Sequence, residues 1–283
     1  MDSSLVPNII RLSVLVPQID QPIGRAAPPA ILAQYRAQAE RTLHSVLEQS
    51  DPIGTEILLI EGSSSTQISD HISSVFSDAV SSGKLRILRF DRTFEAGKLI
   101  NQGGVSSQGS FLAFIKPGDT WKPGRLSALE PLLPKHDLIV ATNEDRGEST
   151  DWIRAFITEN RGVPSSTVIR RTLFDEIGGF PETIARIEDY ALWLKAVAHL
   201  SKSGDKDRFL LMSSEHIQAE SQSFGLPPGS PLASVPALHS LLCKVQKVRE
   251  SLTLVTSAKN IPSRYWGTIA KRIFDEGKSL LKK

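Results

Sequence analysis

The sequence predicts an α/β fold: a doubly wound, mostly parallel sheet flanked by helices, with a helical C-terminal extension. Three observations predict it. Short β-branched apolar runs alternate with segments of helical periodicity, giving the order βαβαβαβ in the first half of the chain. Those runs are apolar on consecutive residues, as strands buried on both faces are. After Ser221 the texture changes: Gly225, Pro227, Pro228, Gly229 and Pro231 mark a linker over 224–234, and residues 235–283 read as two helices split at Ile261-Pro262.

The elements follow in order. Ile9 to Val16 is a buried strand ending at Pro17. Ile31 to Gln49 is a helix, with Leu32, Tyr35, Ala39, Leu43, Val46 and Leu47 on one stripe, stopped by Asp51-Pro52 and Gly54. Glu56 to Ile60 is the second strand; a turn over 61–66 leads into a helix from Gln67 to Val80. Leu85 to Phe90 is the third strand, Lys98 to Val105 a helix, and Phe111 to Ile115 the fourth strand. Beyond them come strands at Asp137 to Thr142 and Ser166 to Arg170. Thr172 to Ile177 is a helical turn closed by Gly178-Gly179. An amphipathic helix over Ile187 to Leu200 and a strand at Phe209 to Met212 complete the domain, 1–223.

Composition excludes several classes. Apolar residues at 40% and charged residues at 23% are those of an ordinary globular chain, not of a disordered or collagenous one. Lys and Arg number 33 against 31 Asp and Glu, a balance that argues against a nucleic-acid binder. The single cysteine, Cys243, makes no internal disulfide and points to a reducing compartment. No run reaches about 18 apolar residues, and Met1-Asp2-Ser3-Ser4 lacks the basic start of a signal peptide. The expectation is a cytoplasmic protein. P-loop, GxGxxG, GxSxG and zinc-ligand spacings are all missing.

Ligands of doubly wound sheets bind beyond the carboxyl ends of the strands. That directs attention to Gln18 to Gln21, Glu61 to Thr66, Asp91 to Gly97 and Lys116 to Trp121. These segments carry a resemblance. LSVLVPQID, TLHSVLEQS, EILLIEGSSST, INQGGVSSQGSFLAFI, GDTWKPGRL, and SSTVIRRTLFDEIGGF followed by IEDYALWLKA stand in order between Leu12 and Ser223. Together they resemble a family 2 glycosyltransferase, with the GT-A nucleotide-sugar-binding fold.

The resemblance implies transfer of a sugar from a nucleotide diphosphate sugar to an acceptor hydroxyl, with inversion. Asp189 matches the catalytic base and Glu188 its partner in the Glu-Asp pair; adjacent carboxylates raise one another's pKa. Pro17, Asp20, Glu61, Ser63, Asp91 and Lys98 fall on the nucleotide-sugar side, with Lys116 and Asp119 at the diphosphate. Relatives carry Asp-x-Asp or Asp-x-Asp-Asp after the fourth strand; here Lys116 replaces the first Asp and Gly118 the second. A divalent metal (Mn or Mg) would rely on Asp119, with His216 as a second candidate ligand. The alternative is that Lys116 serves as the cation itself. Glu61 also reads as a helix cap, Lys116 as a turn lysine and Glu188-Asp189 as an exposed helix start.

The resemblance also implies a lipid-linked or carbohydrate acceptor and a role in surface polysaccharide or glycolipid assembly. Ser263 to Lys283 forms a basic amphipathic helix, which reads either as a peripheral membrane contact or as packing on the domain. Val235 to Leu254 reads as a helix for packing or for a homodimer. A second reading of the whole chain is a non-catalytic nucleotide-binding or scaffold protein.

Overall fold

A computed structural model describes residues 11–19, 28–62, 66–90, 96–142, 162–181, 188–205, 208–213 and 216–218. The predicted linker and C-terminal helices lie outside them, as do Asp20, Ser63 and Asp91. No helix among the described residues is long and apolar enough to cross a membrane.

Strands β1 (Leu12–Ile19), β2 (Thr55–Gly62), β3 (Leu85–Phe90) and β4 (Phe111–Phe114) are the four consecutive apolar runs. They pair in parallel in the order β3-β2-β1-β4, so all four carboxyl ends lie along one edge. The sheet continues through β7 (Gly162–Arg170), β6 (Leu138–Thr142) and β8 (Phe209–Ser213), making seven strands. β7 is antiparallel to both its neighbours. Its amino-terminal half therefore reaches the same edge as the carboxyl end of β4.

Two apolar layers cover the sheet, as its two-sided apolar strands require. On one face, Leu12, Val14, Val16, Ile57 and Leu59 pack against helix α1 (Pro29–Leu47) through Ala39, Leu43 and Val46, and against α2 (Gln67–Val75) through Ile68 and Ile72. On the other, Leu15, Leu58, Ile60, Leu112 and Phe114 meet Leu99 and Ile100 of helix α4 (Ala96–Ser106) and Leu192, Trp193, Ala196 and Val197 further along the chain. Gly103 lets α4 lie close: a Cβ there would sit 2.1 Å from Ile60 Cδ1.

The fold departs from the sequence reading at identifiable points. The helix predicted over Gln67 to Val80 breaks at Phe76, whose φ of −110° and ψ of 36° are non-helical. Phe76 turns its ring into the core and against His44, with centroids 4.7 Å apart, and α3 (Ser77–Ser81) restarts after it. β7 begins at Gly162 rather than Ser166, because its polar residues are buried and bonded. Ser166 Oγ accepts from Ala141 N–H (2.7 Å), and Thr167 Oγ1 accepts from Trp193 Nε1 (3.0 Å). A two-stranded ladder of β5 (Thr120–Trp121) and β9 (Ile217–Gln218) is too short to show a periodicity. Helix α5 (Arg125–Leu129) follows β5 and carries a buried guanidinium. Arg125 donates to the Ser166 carbonyl at 2.8 Å, and burial pushes its pKa down to about 10.

The opposite edge of the sheet is held by charged clamps. Glu56 accepts from Ser13 Oγ (2.6 Å), Arg86 (2.9 Å) and Gln108 N–H, joining three strands to the loop before β4. Arg171 opens the short helix α6 (Arg171–Glu176) and donates to the carbonyls of Gly109 (2.7 Å) and Gly104 (2.8 Å). Asp137 takes both Arg170 and Arg208. With that edge fixed, the carboxyl edge is left for loops.

Candidate functional site

β1 and β2 end side by side. Gln18 is the register partner of Glu61, and Pro17 that of Ile60. Pro17 is buried in β1. Partner residues of parallel strands share a face, so Gln18 and Glu61 both lie on the α1/α2 side. Glu61 is 2% exposed, and its Oε1 accepts the Ser69 backbone N–H at 3.3 Å. Ser69 is the third residue of α2, so the carboxylate caps a helix amino terminus. Gln18 is buried, and its Oε1 has no hydrogen-bond partner among the described residues. Lys98 lies in the first turn of α4, half-buried, on the stretch that follows β3.

The segment after β4 is tied down from two sides. Gly118 N–H donates to Thr42 Oγ1 (2.9 Å), and Thr42 Oγ1 donates to the Asp119 carbonyl (2.8 Å). From β7, Ser165 Oγ accepts the Lys116 N–H at 3.1 Å and donates to Asp119 Oδ2. Gly118 has φ +103°, a conformation that suits glycine and lets the chain double back. Asp119 ends up 1% exposed, and Lys116 half-buried.

These residues do not fit a divalent cation held by protein carboxylates. Such an ion takes several oxygen ligands. Here Lys116 brings an ammonium, Gly118 brings no side chain, and Asp119 is already engaged with Ser165. Among the described residues no group of three or more His, Cys, Asp or Glu side chains converges on one point. Along the ladder the His216 main chain falls opposite Lys122, not Asp119. The ladder pairs Thr120 with Gln218 and Trp121 with Ile217, and Lys122 N–H donates to the His216 carbonyl at 2.8 Å. Three ladder positions separate Asp119 from His216, about 10 Å along the strands.

The acceptor-side pair opens helix α7 (Glu188–Ser203). Asp189, Leu192, Trp193, Ala196, Val197 and Leu200 form one buried stripe, spaced as a helix face. Asp189 is its first member and is 1% exposed. Trp193, one turn later, reaches Thr167 in mid β7. α7 then leads to β8, whose first residue Phe209 pairs with Leu138 at the start of β6. α7 therefore runs from the carboxyl edge of β4 toward the opposite edge, and Asp189 stands at the end where Lys116 and Asp119 emerge. A carboxylate at the head of an apolar stripe is costly to bury. That cost is a reason to look for a function in it.

Sequence reasoning missed three supporting side chains. Thr42 and Ser165 hold the loop after β4, and Asn101 holds the turn before α7. Asn101 was legible within INQGG. Thr42 and Ser165 open the segments TLHSVLEQS and SSTVIRRTLFDEIGGF, but nothing local marks either as tied to the loop after β4.

Comparison with known proteins agrees with this fold. The chain is similar to the structure of S. aureus TarS 1-349 in complex with UDP-GlcNAc, with TM-score 0.59 at 15% identity, over 95% of this chain and 73% of that one. It is similar to the mannosyltransferase PcManGT from Pyrobaculum calidifontis in complex with GDP-Man and Mn2+, with TM-score 0.56 at 12% identity, over 96% and 87% of the two chains. At such identities the likeness is one of fold. Comparison with curated protein sequences finds no match. The sequence profile described as Glycosyl transferase family 2 matches residues 34–191, more than half of the chain. It spans β2 to β4, the Lys116-to-Asp119 segment and the first turn of α7, and the chain belongs to glycosyl transferase family 2.

Proposed function

We propose that the protein transfers a sugar from a nucleotide diphosphate sugar to an acceptor hydroxyl, with inversion and with Asp189 as the base. The observation that carries this reading is the placement of Asp189: buried, first on the inner stripe of α7, at the end where the strand-end segments gather. In the reaction, Asp189 takes the proton of the acceptor hydroxyl as its oxygen attacks the anomeric carbon. The bond from that carbon to the diphosphate breaks on the opposite face, and the nucleoside diphosphate leaves with the electron pair. Glu188, its neighbour in the pair, tunes the base.

The donor lies over the ends of β1, β2 and β4. Pro17, Asp20, Glu61, Ser63, Asp91 and Lys98 serve the nucleotide sugar, and Lys116 and Asp119 the diphosphate. UDP-GlcNAc and GDP-mannose, the donors bound by the two similar structures, are the first to try. Lys116 supplies the positive charge that a metal supplies elsewhere, as lysine does for phosphates in other proteins. The acceptor is carbohydrate or lipid-linked, in surface polysaccharide or glycolipid assembly, with 263–283 as a peripheral membrane contact.

Calorimetry tests the donor half. UDP, GDP and their sugars are titrated with Mn2+, with Mg2+ and with chelator. Binding is expected to survive chelator and to weaken about tenfold in Lys116→Ala. Binding that requires metal removes the role given to Lys116. The loss of the Asp-x-Asp carboxylates favours a second reading, a non-catalytic nucleotide-binding scaffold. An Asp189→Asn chain that keeps the full biological output would establish it.

A further inference from the structure

The turn between α6 and α7 has more attachments than a turn needs. Its own bonds close it: Gly178 N–H donates to the Asp175 carbonyl (3.0 Å) and Gly179 N–H to the Phe174 carbonyl (2.9 Å). Gly178 and Gly179 have φ of +70° and +59°, which cap α6 in the usual glycine manner. Three further contacts reach out of the turn. The Asn101 side chain, on α4, reads both main-chain groups of Phe180: Nδ2 donates to its carbonyl and Oδ1 accepts its N–H, each at 2.9 Å. Lys195, on α7, donates from Nζ to the Gly179 carbonyl at 2.8 Å. The Phe180 ring stands edge-on against Phe114, the last residue of β4, with centroids 5.0 Å apart.

Each contact leads to a different part of the site. Phe114 ends the strand that delivers Lys116 and Asp119. Asn101 stands one turn after Lys98 on α4. Lys195 stands on the helix that begins with Glu188 and Asp189. The space at Asn101 is closed as well, since a Cβ on Gly179 would lie 2.5 Å from Asn101 Oδ1. Burial lowers the pKa of Lys195, as it does for an ammonium withdrawn from water.

We infer that the turn at 178–180 is a positioning device. Asn101 and Lys195 clamp it, so that the start of α7 and its Asp189 are held in fixed relation to the strand end and helix that face the donor. The inference rests on the reading of Asp189 as the base. A general base works only within hydrogen-bond reach of the proton it takes. A misplacement of about 1 Å from a distant change costs on the order of a hundredfold in rate.

The test uses the full chain and three variants: Asn101→Ala, Lys195→Met and Lys195→Arg. Release of UDP from UDP-GlcNAc, or GDP from GDP-mannose, gives kcat and KM, and calorimetry gives nucleoside diphosphate affinity. Hydrogen exchange reports the amides of 188–193. Asn101→Ala and Lys195→Met are expected to lower kcat at least tenfold, with nucleotide affinity and donor KM within about twofold of wild type. Exchange at 188–193 should rise about tenfold, with β1 and β4 unchanged. Lys195→Arg keeps a donor for the Gly179 carbonyl and should recover kcat to within about threefold. Unchanged exchange at 188–193 in both disruptive variants overturns the inference. So does a loss shared equally by kcat and nucleotide affinity. A wild type that turns over while both disruptive variants match it defeats the clamp alone. If Asp189→Asn matches wild-type turnover, the assignment of the base falls with it.

Discussion

At the scale of the residue, one carboxylate serves stability and two others, Glu61 and Asp189, carry the proposed roles in binding and chemistry. Asp137 is the stabilising one. Burial works against its charge, but the hydrogen bonds and charges of Arg208 and Arg170 prevail and hold its carboxyl below the ordinary value. A depressed folded-state pKa contributes stability above the unfolded value near 4, lost as pH falls through the folded value. Asp137→Asn should therefore lower stability by about 2 kcal/mol at pH 7, a difference that shrinks below about pH 4. Urea unfolding at both pH values measures it; an equal loss at both would contradict the charge pairing. Glu61 holds a helix end through Oε1 and stands at the carboxyl end of β2. Glu61→Gln should keep most of the cap yet weaken nucleoside diphosphate binding severalfold by calorimetry. Equal binding would leave the residue as a cap only. Asp189 was legible as a residue because Glu-Asp opening a helix after Gly-Gly-Phe matches the family pattern, but its burial was not. An exposed helix start and a buried base read alike until the inner stripe of α7 is traced in space.

At the scale of the element, the four parallel strands were readable as consecutive apolar runs and helices α1 and α4 from apolar residues at helical spacing. β7 was read only from Ser166 because Gly162, Pro164 and Ser165 before it are turn-type residues. Burial of the two serines is supported by partners: Ser165 donates to Asp119, and Ser166 accepts from Ala141 on β6 and donates to Val163 within β7. Tertiary hydrogen bonds of this kind leave no local pattern. The break at Phe76 has the same origin, since only the position of His44 shows why the ring turns inward. The α6–α7 turn gives the element-scale prediction. Gly179→Ala places a Cβ in the left-handed region and against Asn101 Oδ1. It should cost about 2 kcal/mol and reduce turnover more than nucleotide binding. Thermal unfolding with parallel calorimetry checks both, and wild-type stability would show that the turn is not held as described.

At the scale of the molecule, the sheet divides the work. The edge where Glu56, Arg171 and Asp137 gather is bonded shut, and the edge where β1 to β4 end carries the loops. The altered segment Lys116-Pro117-Gly118-Asp119 sits at the centre of that open edge, between Thr42 on one face and Ser165 from β7. The fold class, the chain order of the four parallel strands and the family resemblance were carried by the sequence. The non-fit of a carboxylate-built metal site was half visible there, as the missing acids. The other half, Ser165 holding Asp119, required the antiparallel strand to be in place. The most direct measurement is nucleoside diphosphate release from UDP-GlcNAc and GDP-mannose by wild type and Asp189→Asn, with chelator present and binding measured alongside. Catalysis by Asp189 predicts turnover by wild type and a loss of at least a hundredfold in Asp189→Asn, with nucleotide affinity unchanged. Equal turnover by the two proteins, or nucleotide binding by both with turnover by neither, would contradict it.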